Sequence, residues 1–250
     1  MSKLNETWIV PPHGALEAID DGLLTVAAEI RMPLGNFPRR MTIVALEGDR
    51  VAVWSPVPLA EPAMRRIEAL GTVSFLIVPG ISHRLDIKPW KYRYPEARVI
   101  CAPGARAKVE ECVQVDATTD ILDDASVRFE IAPGTGEREA ILRVRRGDRT
   151  TLVVNDILAN VRHPHGVGAK IMAHLLGFGV DRPRMPRVGK RLFVEDAGAL
   201  AAGLRRWSSD PSLTRIIVSH GDVIADDPRK ALEVAASDLD DVAGKRAASA

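Results

Sequence analysis

Four β-rich runs in this chain break off into polar, turn-forming sequence: Val78-Pro-Gly-Ile-Ser-His-Arg-Leu-Asp86, Ala132-Pro-Gly-Thr-Gly-Glu137, Val153-Val-Asn-Asp-Ile-Leu158 and Ile217-Val-Ser-His-Gly-Asp222. Strands that stop in this way carry their polar residues to the end of a sheet. When helices alternate with such strands, the ends converge on one edge of an α/β layer, which is where ligands bind in folds of that kind. The remaining sequence supplies the alternation. Short apolar runs predict strands over 23–30, 41–46, 51–57, 74–78, 98–102, 127–131, 140–145, 150–154 and 215–218. The Gly48-Asp49 pair between two of them is a hairpin signal, and Ser55-Pro-Val-Pro58 ends the strand that follows. Helices are predicted over 61–70, 84–94 (interrupted at Pro89), 105–112, 169–176, 196–207 and 228–236. In the first of these, Met64, Ile67 and Leu70 recur at helical spacing and Gly71 stops the run. Hairpin strands followed by helix–strand units occur twice over. This order predicts an α/β protein with two mixed sheets and helices outside, in one domain over 1–236. The polar, small-residue stretch 237–250 is expected to be a flexible C-terminal tail.

Composition narrows the function classes. The chain has 250 residues, with 34 Lys+Arg against 33 Asp+Glu, a net charge of +1. That balance argues against a dedicated nucleic-acid binder, and 4% aromatic residues leave little for a base-stacking platform. Two cysteines, Cys101 and Cys112, make neither a disulfide framework nor a Cys-rich zinc site. A reducing, cytoplasmic compartment is therefore expected. No apolar run approaches the length of a membrane span, and the first eight residues lack the apolar core of a secretory signal.

In order and spacing, the four strand-end motifs resemble the metal-binding motifs of the metallo-β-lactamase superfamily. That pattern is a strand followed by His-x-His-x-Asp-His, then a Pro-Gly-His-Thr loop, a strand ending in Gly-Asp and a last strand ending in His-Gly. The opening hairpins resemble its first strands. Met32-Pro-Leu-Gly35, Arg40-Met-Thr42, Ser55-Pro-Val57 and Pro89-Trp90…Tyr94-Pro95 look like a branch of it with degenerate metal motifs. The resemblance spans roughly residues 20–235 and implies an αββα sandwich: two mixed sheets face to face, with helices on both outer faces. It also implies where ligands belong. Asp156 and His220 match the pattern. In the first motif Gly80 takes the first His place, Ser82 the second, Arg84 the Asp and Leu85 the last His, leaving His83 at a linker position. A shifted register makes His83 and Asp86 the polar pair instead. Thr135 stands where the loop histidine belongs.

A zinc site usually needs three protein ligands, and Arg84 beside it would repel a cation. His83, Asp156 and His220 are thus the candidate metal-binding and catalytic residues, with zinc, iron or manganese as the metal and a metal-free site as the alternative. Two of them also have a plain structural reading: His83 caps a turn and Asp156 caps the next segment. Gly221 beside His220 would let a ligand approach the backbone. His163 and His165 form a His-x-His pair that either adds ligands or lies in an exposed loop. Arg182, Arg184, Arg187, Lys190 and Arg191 form either an anion site or a solvated loop. The leading expectation is a hydrolase-like protein with an eroded metal site, cleaving a small ester-like molecule. A non-catalytic ligand- or protein-binding member of the same fold is the alternative. A further alternative is a serine hydrolase using Ser82, Asp156 and His220, which occur in α/β-hydrolase chain order.

Overall fold

The computed structural model describes residues 4–32, 35–162 and 177–247. The first half of the chain makes a six-stranded mixed sheet in the order β1-β2-β3-β4-β5-β6. Its strands are β1 (Glu17–Asp20), β2 (Leu23–Met32), β3 (Gly35–Leu46), β4 (Arg50–Trp54), β5 (Thr72–Val78) and β6 (Arg98–Cys101). β1 to β4 form an antiparallel meander, whereas β4, β5 and β6 run parallel. The second half makes a four-stranded mixed sheet from β7 (Val127–Ile131), β8 (Ala140–Arg146), β9 (Arg149–Val154) and β10 (Leu213–Val218), in the order β10-β9-β8-β7. Here β9 and β10 are the parallel pair.

Period-two alternation explains why the second sheet is covered on both faces. Leu142, Val144, Val153 and Ile217 point inward, joining Val26, Ile43, Val53 and Leu76 of the first sheet in one core. Their neighbours Ile141, Leu152, Val154, Ile216 and Val218 point outward into a second core. Two helices close that outer core: α5 (Ala197–Ser208) through Leu200, Leu204 and Trp207, and α6 (Pro228–Ala247) through Leu232, Ala235 and Leu239. On the first sheet, α1 (Glu61–Glu68) contributes Met64 and Ile67, and α2 (Ile87–Arg93) contributes Ile87 and Trp90. The short helices α3 (Arg106–Val109) and α4 (Arg187–Leu192) complete the described set. The architecture is the two-sheet αββα sandwich that the resemblance implied. No described helix is long and apolar enough to cross a membrane.

Several element limits differ from those read in the sequence, each for a physical reason. The stretch 237–250, expected as a flexible tail, is helical as far as Ala247. Leu232, Ala235, Ala236 and Leu239 keep an apolar stripe of helical period past residue 236. Asp238 also receives Arg182 from the neighbouring loop at 2.9 Å. The predicted helix 84–94 starts only at Ile87, after a separate 3₁₀ turn, Ile81–His83. Pro89 lies in the first turn of α2, where its missing N–H has no helical acceptor to lose. The predicted helix 169–176, along with His163 and His165, lies outside the described residues.

One contact between the sheets positions the site. β4 pairs with β3 only over Thr42–Leu46, so the stretch of β3 before it meets the end of β10 instead. The Arg40 amide donates to the Ser219 carbonyl at 2.8 Å, and Arg40 Nε donates to the Gly221 carbonyl at 3.1 Å. Gly221 has φ +105°, and a Cβ there would lie 2.1 Å from the Asn160 carbonyl oxygen. Only glycine fits this turn.

Candidate metal centre

β4 and β5 are parallel, as are β9 and β10, and the contacts of Ser55 with His83 and of both histidines with Asp156 bring the ends of the two pairs together on one rim. Each delivers one residue within a few positions of its last. Ser55 follows β4, His83 ends the 3₁₀ turn after β5, Asp156 follows β9 and His220 follows β10. The structure brings together all three candidates read from the sequence. His220 Nε2 lies 3.1 Å from Asp156 Oδ1, and His83 Nε2 lies 3.7 Å from the same oxygen. One ligand atom from each residue falls within 4.8 Å of the others. Both histidines are buried.

The far side of each imidazole is held. His220 Nδ1 lies 2.8 Å from the Pro38 carbonyl oxygen, which can only accept, so Nδ1 carries a proton. His83 Nδ1 lies 2.7 Å from Ser55 Oγ. Ser55 itself adopts φ 54°, uncommon for a residue with a side chain. Both Nε2 atoms therefore face Asp156, with ring orientations fixed from behind. Metal-binding histidines are held in this way by outer partners.

These groups suit a metal ion. In a tetrahedral zinc site with ligand distances of roughly 2.0–2.1 Å, two ligand atoms stand about 3.3 Å apart. The two Nε2–Oδ1 separations bracket that value. Two imidazoles and one carboxylate match the three-ligand sets of catalytic zinc sites, which keep a further position open for water or substrate.

Electrostatics follow the same geometry. Burial pushes the Asp156 carboxyl up, but the His220 hydrogen bond, the His83 imidazole and their charges outweigh it and hold it well below the usual carboxylate range. Burial lowers His220, yet its Asp156 and Pro38 contacts leave it above the ordinary histidine value. Burial prevails at His83, which stays below that value despite Asp156.

Four residues near the site were not singled out as site residues by the sequence, or were placed differently. Glu139, just before β8, is buried, and its Oε2 accepts from Asn155 Nδ2 at 2.9 Å and from the Asp156 amide at 3.1 Å. Burial and then the Asp156 charge push its carboxyl well above the usual range, although those two hydrogen bonds pull the other way. Gly80 makes room for it: a Cβ there would stand 2.6 Å from Glu139 Oε1 and 2.8 Å from Asn155 Nδ2. A charged residue opening a strand reads as solvated, so only the glycine and the loop before it hinted at this packing. Asp86 does not pair with His83; it is fully buried against Arg39 and accepts from Asn5 Nδ2 at 2.6 Å. Arg84 does not repel a cation at the centre, because its guanidinium is turned to Glu111 and the Lys108 carbonyl, both at 3.0 Å. Thr135, at the loop-histidine position, donates to the Ala132 carbonyl at 2.7 Å and closes its own loop.

The serine-hydrolase alternative lacks its geometry. Both nitrogens of His220 are engaged, by Asp156 and the Pro38 carbonyl, and neither meets Ser82. In the Arg-rich segment, Arg182 pairs with Asp238 and Lys190 Nζ donates to the Asp238 carbonyl at 3.2 Å, tying the loop to α6. A cavity of about 560 Å³ opens onto Asp156, His220 and Glu139, within the usual range for small-molecule sites.

Glu139 carries a pH prediction. A carboxyl raised in the folded state contributes stability below its unfolded pKa, about 4.3, and loses it as pH rises through the folded value. In chelator-treated protein, Glu139→Gln is therefore expected to become progressively more stable than the wild type as pH increases from 5 to 9. The difference in unfolding free energy should grow by at most about 1.4 kcal/mol per pH unit. Urea denaturation at several pH values measures it, and a difference independent of pH would show that Glu139 ionises freely.

No family model matches the chain, and no curated protein matches it by sequence. Solved structures do match its fold. TMB-1 superposes with a TM-score of 0.61 at 12% identity, covering 92% of this chain and all of that one. The metallo-β-lactamase DIM-1 gives 0.62 at 10% identity over 92% of this chain and 99% of its own. The metallo-β-lactamase FIM-1 from Pseudomonas aeruginosa, solved in a mono-zinc form, gives 0.58 at 11% identity over 94% and 98%. The chain has the metallo-β-lactamase superfamily fold.

Proposed function

We propose that this protein is a hydrolase of a small ester-like molecule, using one metal ion held by His83, Asp156 and His220. The observation that carries the proposal is the convergence of those three donors, with both imidazoles held from behind, at a cavity large enough for a small molecule. The mono-zinc form of FIM-1 is a precedent for one zinc on this fold. When bound, the metal supplies Lewis acidity, which polarises a carbonyl and makes water a better nucleophile near neutral pH. The chain's own residues do the rest. Ser55 and the Pro38 carbonyl keep both Nε2 atoms aimed inward. Glu139 accepts at Oε2 from Asn155 Nδ2 and the Asp156 amide, which holds the backbone that carries Asp156 in place at the cavity wall.

The first test is elemental analysis of protein purified without chelator or an affinity metal. About one zinc, iron or manganese per chain is expected, and near zero in Asp156→Ala and in His220→Ala. Stoichiometric metal retained by both variants would place the site elsewhere. The apolar share of the cavity wall favours one second reading, a ligand-binding protein without turnover. Under that reading the cavity fills but no product forms.

A further inference from the structure

The cavity beside the metal centre has a polarity pattern that names a substrate class. Three of its polar groups lie at the centre: Asp156, His220 and Glu139 are joined to one another by hydrogen bonds through the Asp156 side chain and amide, and Ser82 adds a neutral hydroxyl to the wall. Much of the remaining wall is hydrocarbon, from Phe37, Phe178, Phe193, Leu85, Ile81 and Leu192. The aromatic part of that wall is built against the site itself. Phe37 and Phe178 pack edge to face with centroids 4.5 Å apart, and lie 5.1 Å and 5.8 Å from the His220 ring. Ile81 and Leu192, 37% and 64% exposed, add open apolar surface to that wall. Among the described lining residues the single guanidinium, Arg138, is taken up by Glu195 at 2.8 Å and the Leu192 carbonyl at 2.9 Å.

We infer that the cavity takes an uncharged ester with a medium-length apolar acyl chain, its carbonyl at the metal centre and its chain along the Phe37–Phe178–Phe193 wall. This rests on the hydrolase reading above. In the reaction, water oxygen bonds to the acyl carbon and the bond from that carbon to the alkoxide oxygen breaks. The alkoxide takes up a proton and leaves as an alcohol, and the acid formed releases its own proton to solvent. No oxidant or reductant is involved.

Two series test the inference on the metal-loaded protein. In the first, 4-nitrophenyl esters from acetate to octanoate are hydrolysed, and kcat/KM is expected to rise about fourfold per added methylene until the wall is covered. In the second, methyl ketones from acetone to 2-decanone, which carry the carbonyl and chain but cannot be hydrolysed, are bound and followed by ligand-observed NMR. Their affinity is expected to rise with chain length by a similar factor. Phe178→Ala should flatten both slopes. Leu192→Glu, at an exposed position that the fold does not need, should flatten them as well. Ketone affinity independent of chain length in the wild type would overturn the inference, even if short and long esters were cleaved equally. Chain-length-dependent ketone binding with no ester cleaved would uphold the apolar pocket and overturn the hydrolase reading instead.

Discussion

Asp86→Ala is expected to destabilise the protein by about 3–5 kcal/mol, the usual cost of stranding one member of a buried ion pair. Asp86 is fully buried and its carboxylate faces the guanidinium of Arg39, which is itself buried. Arg39 Nε already lacks a hydrogen-bond partner, so little remains to satisfy the charge once Asp86 is gone. Asn5 Nδ2, which donates to Asp86 at 2.6 Å, would lose its acceptor too. The effect should reach the metal centre. Arg39 sits between Pro38, whose carbonyl orients His220, and Arg40, which grips the Ser219 and Gly221 carbonyls. Urea denaturation measures the loss, and metal affinity should fall with it. The double change Arg39→Met with Asp86→Leu should recover most of the stability, because the cost lies in the uncompensated charge and not in the volume removed. A loss under about 1 kcal/mol in the single variant would mean that Arg39 finds water or another partner.

The parts of this site that were legible in the sequence are those set by local signals. A strand ending in a turn announces itself over six or seven residues, and His83, Asp156 and His220 each stand just past such an ending. Parallel neighbours then bring the endings together, which the strand-helix alternation already implied. The two-sheet α/β arrangement was legible because sheet and helix faces repeat with fixed periods, while the αββα sandwich and the choice of ligand positions came from the resemblance to the metallo-β-lactamase superfamily. What the sequence concealed is which groups distant in the chain meet behind the histidines. The Pro38 carbonyl lies 182 positions from the histidine it orients, and Ser55 lies 28 positions from His83. A backbone carbonyl has no side-chain signature, and Ser55 reads as the end of a strand. Arg84 and Asp86 were misplaced because a sequence shows charge but not direction. One turns outward to Glu111, and the other inward to Arg39. The C-terminal helix was cut short for a related reason: small polar residues hide an apolar stripe that needs only one residue per turn.

Trp54→Ala should cost about 3–5 kcal/mol, as expected for removing a fully buried large aromatic side chain, and the loss should not be confined to stability. Trp54 is the last residue of β4, 1% exposed, and forms part of the core between the sheets. Its indole reaches across to the other sheet, where Nε1 lies 3.4 Å from Ser219 Oγ. Ser219 precedes His220 and is itself tied to the Val154 carbonyl by its amide at 3.1 Å. On the other side, Trp54 precedes Ser55, the partner of His83. One side chain thus supports, from below, the residues that deliver both imidazoles. Truncation leaves a void that the surrounding β-sheet can fill only by shifting one of these strand ends. Metal affinity is therefore expected to fall by about 10–100-fold, the scale seen when groups behind metal ligands are removed. Trp54→Phe separates packing from the polar contact. It keeps most of the volume and gives up only a long hydrogen bond, so a loss within about 1.5 kcal/mol is expected, with metal affinity nearly unchanged. Urea denaturation and metal titration of both variants measure the two effects. If Trp54→Ala lost stability but bound metal as the wild type does, the strand ends would be held by their backbone hydrogen bonds alone and the indole would be no more than core.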